Sequence, residues 1–191
     1  MKPTGLLLVL FFVGLLACGG GGGGGSASTG GPTLALVYAD PPAGGYRFVR
    51  NAQLSSANHL VLDLVGPAGE LGRGVAFALS VAPGPVAWAR VAASDPQYLQ
   101  NLLFDLGPGT PLLKSAIQAQ TTLLGDAFQK GVGNAKAMAG PICRVALDAQ
   151  GALTASSGIP LSVVRFRLLP PTGNVLTDAT ANCALGALTV Q

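Results

Sequence analysis

Apolar and polar side chains alternate with a period of two along most of the chain after residue 33. In the segment HLVLDLV, residues 59–65, this alternation puts Leu60, Leu62 and Leu64 on one face. Because successive side chains of a β-strand point to opposite faces, such a segment buries one face against a core. The pattern therefore predicts an all-β domain over residues 34–191.

The predicted strands are residues 35–38, 46–49, 59–65, 75–81, 86–91, 113–123, 142–148, 161–169 and 185–190. Glycine and proline separate them, since proline lacks the donor for a strand ladder and glycine readily adopts positive φ. Short helices are expected only over residues 96–103 and 126–130. About nine strands in one domain predict a β-sandwich of the jelly-roll type.

The first residues of the chain have the pattern of an export signal. Lys2 precedes an apolar run from Leu6 to Ala17. At about 1.5 Å per residue this run spans roughly 18 Å, which is short of a hydrocarbon core of about 30 Å. Its end, LLAC, resembles the bacterial lipobox, and the resemblance implies cleavage after Ala17 and acylation of Cys18. An ordinary signal peptide followed by an unrelated cysteine is the alternative.

A glycine-rich segment follows the cysteine. The seven residues Gly19–Gly25 are all glycine, and the sequence SASTGGP comes directly after them. A coil of this composition over residues 19–33 has a root-mean-square span of about 20 Å. The sequence thus predicts a signal peptide (1–17), a lipidated cysteine with its tether (18–33) and one domain (34–191). We expect an exported protein held to membrane lipid by Cys18, at the outer membrane on its periplasmic or surface side.

The charge content argues against nucleic-acid binding. Only 10% of the residues are charged, and the formal net charge of +3 comes from 11 Lys and Arg against 8 Asp and Glu. The basic residues are scattered along the sequence, whereas nucleic-acid binding needs them grouped into a patch. We therefore expect no nucleic-acid partner.

Cys143 and Cys183 are the two cysteines after Cys18. An even pair in an exported chain favours a disulfide bond, which would fasten the C-terminal strand to an earlier one. Two buried free thiols are the alternative, because sequence spacing does not show that the two residues are close in space.

Catalytic and metal-binding patterns are lacking. His59 is the one histidine, and no GxSxG motif supplies a nucleophile for it. The acids form no local pair and no calcium loop, and two cysteines without CxxC spacing do not complete a zinc site. We expect no catalytic residues, no metal and no cofactor, so a hydrolase is the least favoured function.

Trp88 is the best single candidate for a ligand contact. Carbohydrate-binding surfaces of β-sandwiches usually present a row of exposed aromatic side chains, and Trp88 could belong to one together with a tyrosine. The alternative is that this large apolar side chain packs in the core.

Three segments resemble cohesin modules. They are the alternating run GVAFALSVAPGPVAWARV, then CRVALD, and then GIPLSVVRFRL, which together lie at residues 74–91, 143–148 and 158–168. The resemblance implies a nine-stranded jelly-roll sandwich, the fold that cohesins share with several cellulose-binding modules. It also implies a non-catalytic role in binding or assembling proteins, and the alternative of the same fold is a polysaccharide-binding module.

Overall fold

The computed structural model describes residues 34–107, 112–130 and 135–191. These parts of the chain contain sixteen strands and one short 3-10 turn, Thr180–Asn182. The strands are β1 (Leu36–Ala39), β2 (Tyr46–Arg50), β3 (His59–Gly66), β4 (Leu71–Gly72), β5 (Gly74–Val81), β6 (Val86–Ala89), β7 (Gln100–Asn101), β8 (Leu113–Gln118), β9 (Thr122–Phe128), β10 (Lys136–Ala137), β11 (Gly140–Ala149), β12 (Ser156–Ile159), β13 (Leu161–Leu169), β14 (Thr177–Asp178), β15 (Cys183–Ala184) and β16 (Ala187–Val190).

Two large sheets form the body of the fold. The six-stranded sheet has the order β15-β2-β3-β11-β6, with β7 also paired to β11, and the five-stranded sheet has the order β14-β13-β5-β9-β8. All of these pairings are antiparallel except that of β15 with β2. A small sheet, β1-β16-β12, and the pair β10-β4 complete the pairing. The predicted all-β sandwich is confirmed.

The two large sheets enclose one hydrophobic core. The large apolar residues of the long strands alternate as the period of two requires and pack in the core, and the ring of Phe48 on β2 meets that of Phe77 on β5 at 5.7 Å between centroids. Tyr46 and Phe166 form a second aromatic contact between the sheets, at 5.0 Å. Offset or edge-on aromatic pairs of this kind add about 0.5–1.5 kcal/mol to the burial of their surface.

The small sheet is joined to the core by Tyr38. The Tyr38 hydroxyl donates a hydrogen bond to the Phe48 carbonyl oxygen at 2.9 Å and accepts one from the backbone N–H of Gly186 at 2.6 Å. A side chain at Gly186 would collide with the Ala39 carbonyl oxygen, so glycine is needed where the chain approaches β1 this closely. Tyr38 thus joins three segments that are distant in sequence.

Three local predictions were wrong. Residues 113–123 form a hairpin, β8 and β9, whose turn contains Ala119 and Gln120 with φ of 50° and 63°. Residues 126–130, predicted as helix, contain the end of β9 instead. Ala127 points into the core and its two neighbours point outward, which is the alternation of a strand. Residues 96–103, also predicted as helix, form turns and the short strand β7, which pairs with β11.

Candidate functional site

The outward side of the five-stranded sheet has a row of small residues at its centre. Val75, Phe77 and Leu79 of β5 point into the core, so Ala76 and Ala78 point away from it. These two alanines are nevertheless only 6% and 4% exposed, because longer side chains on β9 and β13 flank them. The outward side is therefore a shallow trough along β5 with a ridge on each side.

We call this surface the open face. It consists of Ala76, Ala78, Ser80, Lys114, Ala116, Gln118, Thr122, Leu124, Asp126, Ser162, Val164, Arg165, Arg167 and Asp178. A depression of about 690 Å³ lies on it, and its lining includes Ala78, Gln118, Leu124, Val164 and Arg165.

Strand register sorts the open face into three rows that run across the strands. The charged row, from β8 to β14, is Lys114, Asp126, Ala76, Arg167 and Asp178. The apolar row is Ala116, Leu124 and Ala78, with Arg165 at its end. The third row is uncharged but polar and comprises Gln118, Thr122, Ser80 and Ser162. Apolar contact area thus lies between a band of charges and a band of hydroxyl and amide groups.

The opposite charges of the open face are cross-strand neighbours, Lys114 beside Asp126 and Arg167 beside Asp178, without a close ion pair between them. Within the described parts of the chain, no ion pair of 4.0 Å or less joins Lys114, Asp126, Arg167 and Asp178. Burial raises the pKa of Asp126 above its usual value, although the cations of Arg165 and Lys114 partly oppose the shift. The backbone N–H of Thr180 donates to Asp178 at 2.8 Å and lowers the pKa of that carboxyl, with help from the Thr180 hydroxyl and Arg167.

A β-bulge shapes one ridge of the open face. The pairing of β13 with β5 shifts between Val163 and Arg165, so Val164 is an extra residue without a cross-strand partner. As a result Val164 and Arg165 both point outward, whereas a regular strand would send one of them inward. Val164 is 57% exposed, which is unusual for a β-branched apolar side chain in the middle of a strand.

The edge strand beside the open face is capped by side chains. The Gln97 Oε1 atom accepts hydrogen bonds from the backbone N–H and the hydroxyl of Ser115 on β8, at 2.8 and 2.9 Å. The backbone N–H of Tyr98 donates to the same hydroxyl at 2.7 Å. Segments that cover a strand edge in this way hinder the addition of a further strand. A partner therefore has easier access to the open face than to this edge.

His59 is engaged in a structural clamp. Its Nδ1 atom lies 2.5 Å from Oδ1 of Asp148, and its Nε2 atom lies 3.1 Å from the Val91 carbonyl oxygen. Both ring nitrogens thus face acceptors, and neither is free to take a proton from a nucleophile. The ring joins the start of β3 to the end of β11 and to the segment after β6.

The predicted disulfide is wrong. Cys143 lies on β11 and Cys183 on β15, and both are free thiols. Two strands, β2 and β3, lie between β15 and β11. Three strand spacings correspond to about 14 Å, whereas a disulfide joins Cα atoms about 4.4–6.8 Å apart. Burial is the main cause that raises the pKa of the Cys143 thiol, and burial also raises the pKa of Cys183, to about 12.

Trp88 lies in the core, so its assignment as a ligand contact is also corrected. The side chain is 6% exposed, and its Nε1–H donates to the Thr121 carbonyl oxygen at 2.8 Å. Tyr38 and Tyr46 are buried as well. The described residues therefore offer no row of exposed tryptophan and tyrosine rings on which a sugar could stack.

Two arginines of low exposure, the buried Arg73 and the partly buried Arg144, have structural partners. Arg144 binds Asp63 through its Nε at 2.5 Å, and Asn51 donates to the same carboxylate at 2.8 Å. Arg73 is 3% exposed, and it donates to the carbonyl oxygens of Pro170 and Gly173. Arg144 thus joins β11 to β3, and Arg73 fastens the loop after β13, where it also lines a small depression.

Some predicted features fall outside the described residues or have no counterpart in them. Cys18, the predicted lipidation site, belongs to the undescribed residues 1–33. In the described ranges no cluster of three or more His, Cys, Asp or Glu side chains could hold a metal ion. The same ranges contain no helix that is long and apolar enough to cross a membrane.

Sequence reasoning missed the open face because a surface of this kind has no motif. Ala76, Ala78 and Ser80 do alternate with core residues in the sequence, and this run of small outward residues is the signal that could have indicated a trough. The bulge at Val164 leaves a weaker signal, two consecutive outward residues inside an alternating strand.

Comparisons with known proteins support the fold. No protein-family model matches the sequence, and no curated protein is significantly similar to it. A type II cohesin domain from the cellulosome of Acetivibrio cellulolyticus aligns with a TM-score of 0.51 and 8% identity, over 77% of this chain and 95% of that one. The sixth cohesin of scaffoldin B from the same organism, solved in complex with a dockerin, aligns with a TM-score of 0.52 and 10% identity, over 75% and 96%. At such identities the likeness shows a shared cohesin-type sandwich fold.

Proposed function

We propose that this chain is an exported, lipid-anchored module that has no catalytic activity and binds a protein partner on its open face. The observation that carries the proposal is the open face itself, a banded surface on the side of the sandwich opposite the core, whose described charges form no ion pair of 4.0 Å or less with one another.

The composition of the open face suits a protein interface. Interfaces between proteins combine an apolar centre with a polar and charged rim, and they are usually broad and shallow. Leu124, Ala78 and Val164 supply the apolar centre here, while Lys114 and Arg167 belong to the charged row. A small-molecule pocket would instead enclose most of its ligand, which a shallow trough does not do.

The likeness of fold adds support of a weaker kind. One of the similar cohesins was solved in complex with a dockerin, which is a protein ligand. A fold can host unrelated functions, so the open face carries the proposal and the fold supports it. The polysaccharide alternative has no comparable support, because the one tryptophan is buried.

The anchor is proposed from the leader sequence. A lysine, an apolar run and the sequence LLAC together match a lipoprotein signal, and two or more acyl chains hold a protein to a membrane durably. From its composition, the glycine-rich segment 19–33 is proposed as the tether between the anchor and the domain. Intact-mass analysis of the membrane-extracted chain should show acyl chains on Cys18, and Cys18→Ser should release the protein from the membrane.

Photo-cross-linking in living cells tests the binding proposal. A photoreactive amino acid replaces Gln118 on the open face, and in a matched strain it replaces Leu54, which is 45% exposed in the loop between β2 and β3. We expect irradiation to yield a protein adduct from position 118 and none from position 54. Adducts from neither position, or equally from both, would contradict binding at the open face.

A further inference from the structure

The order of charges across the open face is antisymmetric about its central strand. From β8 to β14 the charged row reads positive at Lys114, negative at Asp126, neutral at Ala76, positive at Arg167 and negative at Asp178. Reversing the order of the row therefore exchanges every charge for its opposite.

Two copies can meet through this surface in an arrangement that places opposite charges against each other. A twofold axis in the interface, parallel to β5, places β9 of one copy against β13 of the other and β8 against β14. Asp126 then faces Arg167 of the second copy, and Lys114 faces its Asp178. By symmetry each of these two contacts occurs twice in the dimer.

Other orientations are disfavoured by the same charges. An axis perpendicular to the strands and passing through the charged row would place each residue of that row against its own copy, so that Lys114 meets Lys114 and Asp126 meets Asp126. Like charges brought together in an interface oppose association. The charged row thus favours an axis along β5 over an axis that runs along the row itself.

The other two rows agree with this arrangement. Ala78 and Ser80 of β5 face their own copies across the axis, and their small size lets the flanking ridges of the two copies approach. Leu124 on β9 faces Arg165 of the second copy, whose aliphatic stem and the adjacent bulged Val164 give it apolar contact, and Thr122 faces Ser162, which pairs hydroxyl groups. No row places a charge against a like charge.

The size of the surface predicts a weak dimer. Four strand spacings of about 4.8 Å and the eight residues of β5 at about 3.4 Å each enclose roughly 500 Å² per copy. A total near 1,000 Å² lies at the low end of specific protein interfaces, where association is weak and exchange is fast.

We infer that the partner of the open face is a second copy of this chain, which docks face to face about a twofold axis along β5. The inference rests on the proposed function, because it names the occupant of the same surface. It makes the module one that joins identical chains on one membrane, where a shared anchor would raise their local concentration.

Charge reversal tests the inference. The full chain is solubilised in enough detergent that a micelle holds on average less than one chain, and its association is measured by sedimentation velocity. We expect a dimer that forms with increasing concentration and weakens with added salt. Asp126→Lys alone and Arg167→Asp alone should each weaken the dimer by about tenfold or more, since both symmetric contacts become repulsive.

Mixing these two variants gives the decisive result. Lys at position 126 of one variant then faces Asp at position 167 of the other, and the native Arg167 and Asp126 face each other in the second contact. The mixture should form heterodimers about as tight as the wild-type dimer, and the double variant should recover as well. Glu70→Lys and Arg50→Asp make the same charge changes at exposed residues away from the open face and should leave association unchanged.

A second pair of variants repeats the test at exposed positions, where a substitution is less disruptive to the fold. Lys114→Asp and Asp178→Lys change exposed side chains, and their mixture should also associate more tightly than either variant alone. A wild-type chain that stays monomeric, or mixtures no tighter than the single variants, would overturn the inference. Cross-links from position 118 to a different protein, with no dimer, would overturn self-docking and leave the proposed function standing. Neither cross-links nor a dimer would overturn both.

Discussion

At the scale of single residues, the chain uses its few polar side chains to fasten backbone. Tyr38, His59 and Trp88 each bond a main-chain carbonyl oxygen that is distant in sequence. The sequence shows that such residues are unusual in this chain but not what they touch, because their partners are backbone groups that any residue could supply. For this reason the sequence alone does not distinguish a ligand contact from core packing at Trp88, whereas its burial in the structure shows that it packs in the core.

Tyr38→Phe should destabilise the domain by about 2–3 kcal/mol. The change leaves the Phe48 carbonyl and the Gly186 N–H without their recorded partner in a region of low exposure, and each such buried group costs about 1–3 kcal/mol. Urea unfolding at neutral pH measures the effect. Tyr46→Phe is the matched control, because it also removes one hydroxyl from a buried tyrosine and no hydrogen bond of that hydroxyl is recorded in the described structure. Equal losses in the two variants would contradict this role of Tyr38.

At the scale of elements, the alternation of apolar and polar residues predicts the positions of the long strands. It does not predict the turns and pairings at which the chain departs from regular strand geometry. Core faces of β3, β5 and β11 follow directly from the period of two. The turn between β8 and β9 was missed because Ala119 and Gln120 occupy positive φ, where glycine or asparagine usually gives the signal. The pairing of β2 with β15, which separates the two cysteines, depends on long-range topology that spacing does not contain.

Gln120→Gly should stabilise the domain by about 1 kcal/mol. Gln120 has a φ of 63°, a left-handed conformation that costs a residue with a Cβ atom roughly 1–2 kcal/mol relative to glycine. Part of this gain is lost to the greater freedom of glycine in the unfolded chain. Thermal and urea unfolding provide the measurement. Gln53→Gly, in a turn without positive φ, is the control and should be neutral or destabilising. A loss of stability on Gln120→Gly would show that the turn is not strained.

At the scale of the whole molecule, the sandwich separates two tasks. One side of the five-stranded sheet contributes the core, and the other carries the open face, whose rows exist only because five strands pair in one register. The sandwich class could be predicted from strand count and period, but the rows could not, since they join residues from four separate parts of the sequence. The core also holds thiol and phenol groups, those of Cys143, Cys183, Tyr38 and Tyr46, whose pKa values are raised by burial.

The free energy of unfolding should decrease as the pH rises from about 9 to 12. Burial raises the pKa of Cys183 from 9.0 and of Tyr46 from 10.0 to about 12 in each case, and it raises the pKa of Tyr38 further. In that range the unfolded chain has released protons that the folded chain still holds, so rising pH favours unfolding. Below about pH 8 these groups are protonated in both states, and their contribution is constant. Urea unfolding across this range measures the slope.

Tyr46→Phe should make this slope shallower above pH 10, because it removes one of the groups that titrate on unfolding. It keeps the ring contact with Phe166, so the fold at neutral pH is preserved. An unchanged slope would mean that Tyr46 does not take part in the alkaline transition.

The central claim is that the open face is covered by a protein in the cell envelope. Lysine labelling tests it most directly and without any substitution. Native envelopes and dilute purified chain are treated briefly with an amine-reactive reagent, and mass spectrometry compares Lys114 on the open face with Lys136 on β10. The account predicts that Lys114 is protected relative to Lys136 in the envelope and loses this protection in dilute solution. Equal labelling of Lys114 in both samples would contradict it.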